Sequence, residues 1–228
     1  MRYRSVRLAV ALLVLLTVAS LGLGPGCLRR QAREPVPPVP KEPGPVQSTP
    51  GSEKPARAVL EPGLKLLYRD EKTGEETWTE RCAPSTLDHR EVIPVVGDDE
   101  EYVSYVAEEE GWLVEVGARD PNGRAAWPQP LRLYPLDPAV GMTWETEDQA
   151  GSLRHQIEAI EEISTPAGRF IAARVLVKAV DPASGEVEPG SEYRFWYATD
   201  SGIVVKTGDS VLIKQENVEP RPDPGLPR

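Results

Sequence analysis

The residues able to do chemistry in this 228-residue chain are few, and they are scattered. Its two histidines, His89 and His155, have no Cys, His, Asp or Glu nearby at the spacing a metal site needs. His155 falls on the apolar side of an alternating segment, where a hydrogen-bonded core or rim histidine is the expected reading. Ser152 and Ser164 lack the glycine frame of a nucleophile elbow, so no Ser-His-Asp triad is expected. Phosphate-cradling glycine loops and dinucleotide fingerprints are absent, and neither cofactor nor metal is predicted. Carboxylates are plentiful, but a catalytic pair is defined by a separation of roughly 5–10 Å that spacing along the chain does not give. The expectation is therefore a non-catalytic protein, with a carboxylate-dependent hydrolase of cell-wall or surface polymers as the alternative.

Two cysteines remain. Cys82 shares a strand face with Trp78 and is expected as a small buried side chain. Cys27 follows Arg2, Arg4, Arg7 and the apolar run from Leu8 to Ala19, which is the layout of an export signal. The run is short of the ~20 apolar residues that span a bilayer. Gly24-Pro25-Gly26-Cys27 resembles the lipobox, where signal peptidase II cuts before a cysteine that is then diacylated. Gly24 stands where that motif usually carries Leu. The resemblance implies a lipid anchor on Cys27 and a place at the outer face of a bacterial membrane. Ordinary cleavage nearby would leave Cys27 a bystander.

Residues 1–26 are thus expected as signal peptide and 27–62 as a disordered tether, with Pro35, Pro37, Pro38, Pro40, Pro43, Pro45, Pro50, Pro55 and Pro62 along it. At ~3.1 Å per residue such a stalk reaches at most roughly 100 Å. Residues 63–217 form one domain, and 218–228 are expected as a disordered Pro-rich tail. In the domain thirty Asp plus Glu stand against fifteen Lys plus Arg, a net of −15. That balance argues against nucleic acid as a partner. The acidic runs Asp98-Asp99-Glu100-Glu101 and Glu108-Glu109-Glu110 bracket an apolar segment and lack the spaced pattern of a calcium loop, so they are expected as solvated strand ends.

The domain's periodicity is two. Ile171, Ala173, Val175, Val177 and Ala179 alternate with Arg174 and Lys178, and Leu153, His155, Ile157 and Ala159 alternate with Arg154, Gln156 and Glu158. Further strands are predicted over 64–69, 76–82, 90–96, 102–106, 112–116, 131–134, 142–147, 192–198, 203–207 and 211–215. Gly74, Gly123, Gly168, Gly185 and Gly202 close the turns between them. The predicted fold is all-β, a single curved antiparallel meander forming a half-barrel or barrel.

The second half of the chain resembles a group of bacterial envelope proteins, often lipoproteins. The resemblance is carried by Tyr134-Pro135-Leu136 with Gly141-Met142-Thr143-Trp144, then Thr165-Pro166-Ala167-Gly168-Arg169-Phe170, then Trp196-Tyr197-Ala198 with Gly202-Ile203-Val204-Val205-Lys206. It implies a curved antiparallel sheet and no particular activity. Trp144, Trp196 and Tyr197 are bulky enough to fill the concave side and are the candidate ligand-binding residues. Trp196 and Tyr197, being adjacent, must face opposite ways. The expected partners are the membrane, through the lipid anchor, and an apolar small ligand, a peptide or an envelope protein.

Overall fold

The computed structural model describes residues 60–121, 123–148, 151–181 and 184–225. The signal peptide, Cys27 and all but the last residues of the tether lie outside them. The described residues form thirteen strands and no helix: β1 (Leu64–Asp70), β2 (Glu76–Arg81), β3 (Ser85–Leu87), β4 (Arg90–Gly97), β5 (Val103–Glu109), β6 (Trp112–Asp120), β7 (Gly123–Pro135), β8 (Thr143–Asp148), β9 (Gly151–Thr165), β10 (Gly168–Val180), β11 (Tyr193–Ala198), β12 (Val204–Thr207) and β13 (Ser210–Asn217). The fold is all-β, as the alternation predicts.

Strand order is β7-β6-β5-β4-β2-β1-β13-β12-β11-β10-β9-β8, with β3 added on β4. Every pairing is antiparallel. Most neighbours follow one another along the chain, as in a meander. The exceptions are β2, which pairs with β4 past β3, and β1, which pairs with β13 from Leu64↔Asn217 to Asp70↔Ser210. The sheet therefore begins and ends at β7 and β8, which are consecutive in the chain and come close together without pairing. The result is a barrel with one seam, spanned by the β7–β8 link.

Alternation puts one set of side chains inside. Ile93, Val106, Leu113, Tyr134, Trp144, Ile157, Val175, Val177, Phe195, Tyr197 and Val204 belong to the inner cluster, which draws on β4 to β12. A second cluster, with Cys82, Val92, Val96, Val103, Tyr105, Val114 and Val116, lies on the opposite face of β4 to β6. Cys82 is fully buried there, with Trp78 packed alongside.

Turn chemistry sets the register. Gly74 and Gly202 adopt φ of 75° and 63°, which a residue with a Cβ rarely takes. Between β3 and β4 the same role falls to Asp88 (φ 48°) and His89 (φ 65°), consecutive left-handed residues of the kind a tight primed hairpin turn needs. His89 is thus an exposed turn residue.

Two expectations need correction. Alternation along β9 runs as predicted through Ile157 and then changes phase, because Val175 faces Ile157 whereas Arg174 faces Ala159. Glu158 is the extra residue of a β-bulge. Beyond it Ile160 is 41% exposed, and across the sheet Ile171, predicted inward, is 53% exposed. The chain after Asn217 is also ordered as far as Gly225, against the prediction of a disordered tail. Val218 N–H donates to Gly63 O at 2.8 Å, and Ala83 N–H to Arg221 O at 2.8 Å. The Asp223 carboxylate, 6% exposed, accepts from Ser85 Oγ at 2.7 Å and Tyr105 Oη at 3.2 Å. Prolines remove amide donors from this segment, and side-chain and carbonyl acceptors hold it instead.

Candidate functional site

The inner cluster does not fill the barrel. A cavity of about 200 Å³, partly open to solvent, lies between β1, β2, β4 to β9 and β11 to β13. Its wall is mainly apolar, with Leu66, Val95, Val106, Leu133, Leu153 and Phe195 among its members. Three tyrosines, Tyr68, Tyr134 and Tyr193, add amphipathic surface. Tyr68 Oη donates to Val204 O at 3.0 Å and Tyr134 Oη to Gly202 O, so both phenols are anchored to backbone. Burial pushes the Tyr134 phenol up to about 12 and those of Tyr68 and Tyr193 higher still, which keeps all three neutral at physiological pH.

The buried ionisable residues on this wall, Arg81, Glu115 and His155, lie on three different strands, and the wall's Asp98 and Arg132 are exposed. On β2, Thr77, Thr79 and Arg81 share one face of the strand and line the cavity, Arg81 at 8% exposure. Glu115, 1% exposed, sits on β6, three strands further round, where it accepts from Trp127 Nε1 at 3.2 Å. His155 on β9 is 6% exposed, stacks on Trp144 with ring centroids 4.8 Å apart, and shares a 3.0 Å hydrogen bond between Nε2 and Thr146 Oγ1. Burial lowers its pKa to about 4, so the imidazole is neutral near pH 7. His155 is the hydrogen-bonded histidine the alternation predicts, and it also reaches the cavity wall.

None of the three predicted ligand residues lines the cavity. Trp144 is buried behind His155 and meets Trp112 edge-on at 5.5 Å. Tyr197 is fully buried, stacked on Tyr134 at 4.4 Å, and its Oη donates to Pro135 O at 2.9 Å. Trp196 lies on the opposite, outer face, half-buried, where Nε1 donates to Glu161 at 2.8 Å and Lys206 Nζ stands 5.7 Å from the ring centroid. Adjacent residues do face opposite ways, with Tyr197 in the core. The tryptophan at the cavity is Trp78, whose ring is flanked by Lys65 and Arg221.

Sequence reasoning missed Arg81, Tyr68, Tyr134 and Tyr193 as wall residues. A signal for Arg81 existed: placing Trp78 and Cys82 on one face of their strand puts Thr79 and Arg81 on the other. Which of the two faces the barrel interior depends on pairings with β1 and β4, which are not local.

No known family's sequence profile matches the chain, and no curated protein matches it. Among solved structures, a protein from Bacteroides fragilis, provisionally described as exported and with a YmcC-like fold, is similar over 68% of this chain and 96% of its own, at 10% identity and a TM-score of 0.34. A protein from Parabacteroides distasonis, provisionally described as a lipoprotein, is similar over 69% of this chain and 96% of its own, at 12% identity and a TM-score of 0.32. Likeness this distant carries no conclusion about what the present chain does.

Proposed function

We propose that this chain is an exported, lipid-anchored, non-catalytic module of the bacterial envelope whose barrel takes up a small apolar or amphipathic ligand. The observation that carries the reading is the cavity: about 200 Å³ inside a barrel with one seam, walled mainly by aliphatic and neutral phenolic side chains. Sites that bind small molecules are typically concave and mostly apolar, with a few placed polar groups. An apolar cavity of ~150 Å³ holds benzene, so this one suits a short to medium hydrocarbon chain. Export and anchoring rest on the amino-terminal signal and Cys27, and they place the barrel where lipids and their breakdown products are solutes.

An uncharged fluorescent probe tests the uptake directly. Phenylnaphthylamine titrated into the purified protein is expected to bind saturably at one per chain. Leu133, half-buried on β7 and lining the cavity, is the place to fill it. The Leu133→Trp variant is expected to weaken binding at least tenfold while its unfolding transition stays cooperative. Absence of saturable binding, or equal binding by a folded Leu133→Trp, would rule the reading out.

A further inference from the structure

The cavity wall carries a buried cation that pairs with no carboxylate among the described residues. Arg81 is buried, and its Nη1 has no hydrogen-bond partner among the described residues. It forms no ion pair there either, whereas Arg221, in the segment after β13, pairs with Glu80 and Glu100. Burial weighs against its charge more than any neighbour favours it, and the one carboxylate acting on it, Glu61, is exposed. Tyr68 and Tyr134 are the other groups near it, and they are neutral phenols that donate to backbone carbonyls and bring no negative charge.

An unsatisfied guanidinium N–H in a low-dielectric setting is costly, and the proteins that keep one usually use it. A guanidinium offers a planar fork of donors that matches a carboxylate or a phosphate. The apolar wall formed by Leu66, Val95, Val106 and Phe195 lies in the same cavity. The other buried charge on the wall, Glu115, already accepts from Trp127 and belongs to β6, so it does not neutralise Arg81.

Resting on the uptake of a small ligand argued above, we propose that the ligand is an amphiphile with a short to medium acyl chain and a single anionic head group, the head seated on Arg81 and the chain along the aliphatic wall. A carboxylate and a phosphate monoester share the required chemistry. This assigns Arg81 as the residue that selects among apolar ligands.

Isothermal titration of the purified protein with octanol, octanoate, octyl phosphate and octylamine separates the possibilities. Octanoate, octyl phosphate or both are expected to bind at least tenfold more tightly than octanol, and whichever is tighter names the head group. In Arg81→Met that preference is expected to fall to within about twofold while octanol binding is kept. Should Arg81→Met fail to fold, Arg81→Lys keeps the charge and loses the fork, and is expected to weaken the preferred anion at least threefold with octanol unchanged. Octanol binding as tightly as both anions, octylamine binding more tightly than either, or an unaltered anion preference in a folded Arg81 variant would overturn this assignment and leave uptake standing. If none of the four ligands binds, uptake itself fails and the assignment goes with it.

Discussion

Acidifying the protein from pH 7 to pH 4.5 is expected to remove roughly 2.5 kcal/mol of stability through His155 alone. In the folded chain the imidazole is 6% exposed, and burial holds its pKa near 4 against an ordinary value of 6.5. Between those values the unfolded chain takes up a proton that the folded chain refuses. The contribution is therefore complete above about pH 6.5 and is lost as pH falls towards 4. The groups facing His155 are Trp144 and Thr146 on β8 and Val177 on β10, none of which carries charge. Urea unfolding of the wild type and of His155→Gln, compared at each pH, isolates the effect. Carboxylates with lowered pKa values, such as Asp70, Glu158 and Glu216, also lose stability in acid, but both proteins share them. The wild-type curve is expected to fall more steeply between pH 6.5 and 4.5. Parallel curves would mean that His155 reaches water.

The second large effect is expected from Tyr197→Ala, at about 3–5 kcal/mol. Its ring is fully buried between β10 and β12 and stacks on Tyr134 across the barrel with planes 21° apart. Removing it opens a void, breaks the stack and strands the Pro135 carbonyl that its hydroxyl satisfies. Tyr197→Phe keeps the ring and is expected to cost about 1 kcal/mol. Because Tyr197 does not reach the cavity wall, Tyr197→Phe is also expected to leave phenylnaphthylamine affinity unchanged. A loss under 1 kcal/mol in Tyr197→Ala would place the ring at the rim. Chemical denaturation of the three proteins measures both.

How far these elements can be read from the chain follows from how local their causes are. β10 is legible because Ala173, Val175 and Val177 alternate with Arg174 and Lys178 over a stretch long enough to exclude a helical stripe. Turn glycines such as Gly74 and Gly202 are legible because a positive φ is a requirement of the turn itself. β3 is not, being three residues long and held only by β4. The first half of β7 is hidden by Pro128 and Pro130, residues that a sheet tolerates at an edge, which is where β7 lies. The Glu158 bulge is invisible to a rule of two, since one extra residue exchanges the faces of everything after it.

The site is harder still. Its wall joins strands from both ends of the chain through the β1–β13 pairing, and no local pattern announces that closure. Size and aromaticity mark Trp144, Trp196 and Tyr197 as candidates, yet large rings serve packing as readily as binding. Two of them became core and one became outer surface. The wall residues of β2 look unremarkable in sequence, because threonine and arginine on a strand usually face water. The same holds for Asp223, whose neighbours are prolines and whose carboxylate nonetheless ties the segment after β13 to Ser85 and Tyr105.

The hollow interior is the claim on which the proposed function depends, and quenching by a bromine-tailed chain tests it most directly. Of the chain's five tryptophans, Trp78 alone among the described residues borders the cavity. Titration with 8-bromo-octanol, which is neutral and so independent of any head-group preference, is expected to quench wild-type emission saturably. Trp78→Phe is expected to abolish most of that quenching, whereas Trp196→Phe leaves it in place. Quenching that survives in Trp78→Phe and disappears in Trp196→Phe would put the ligand on the outer face of the sheet and contradict a cavity inside it.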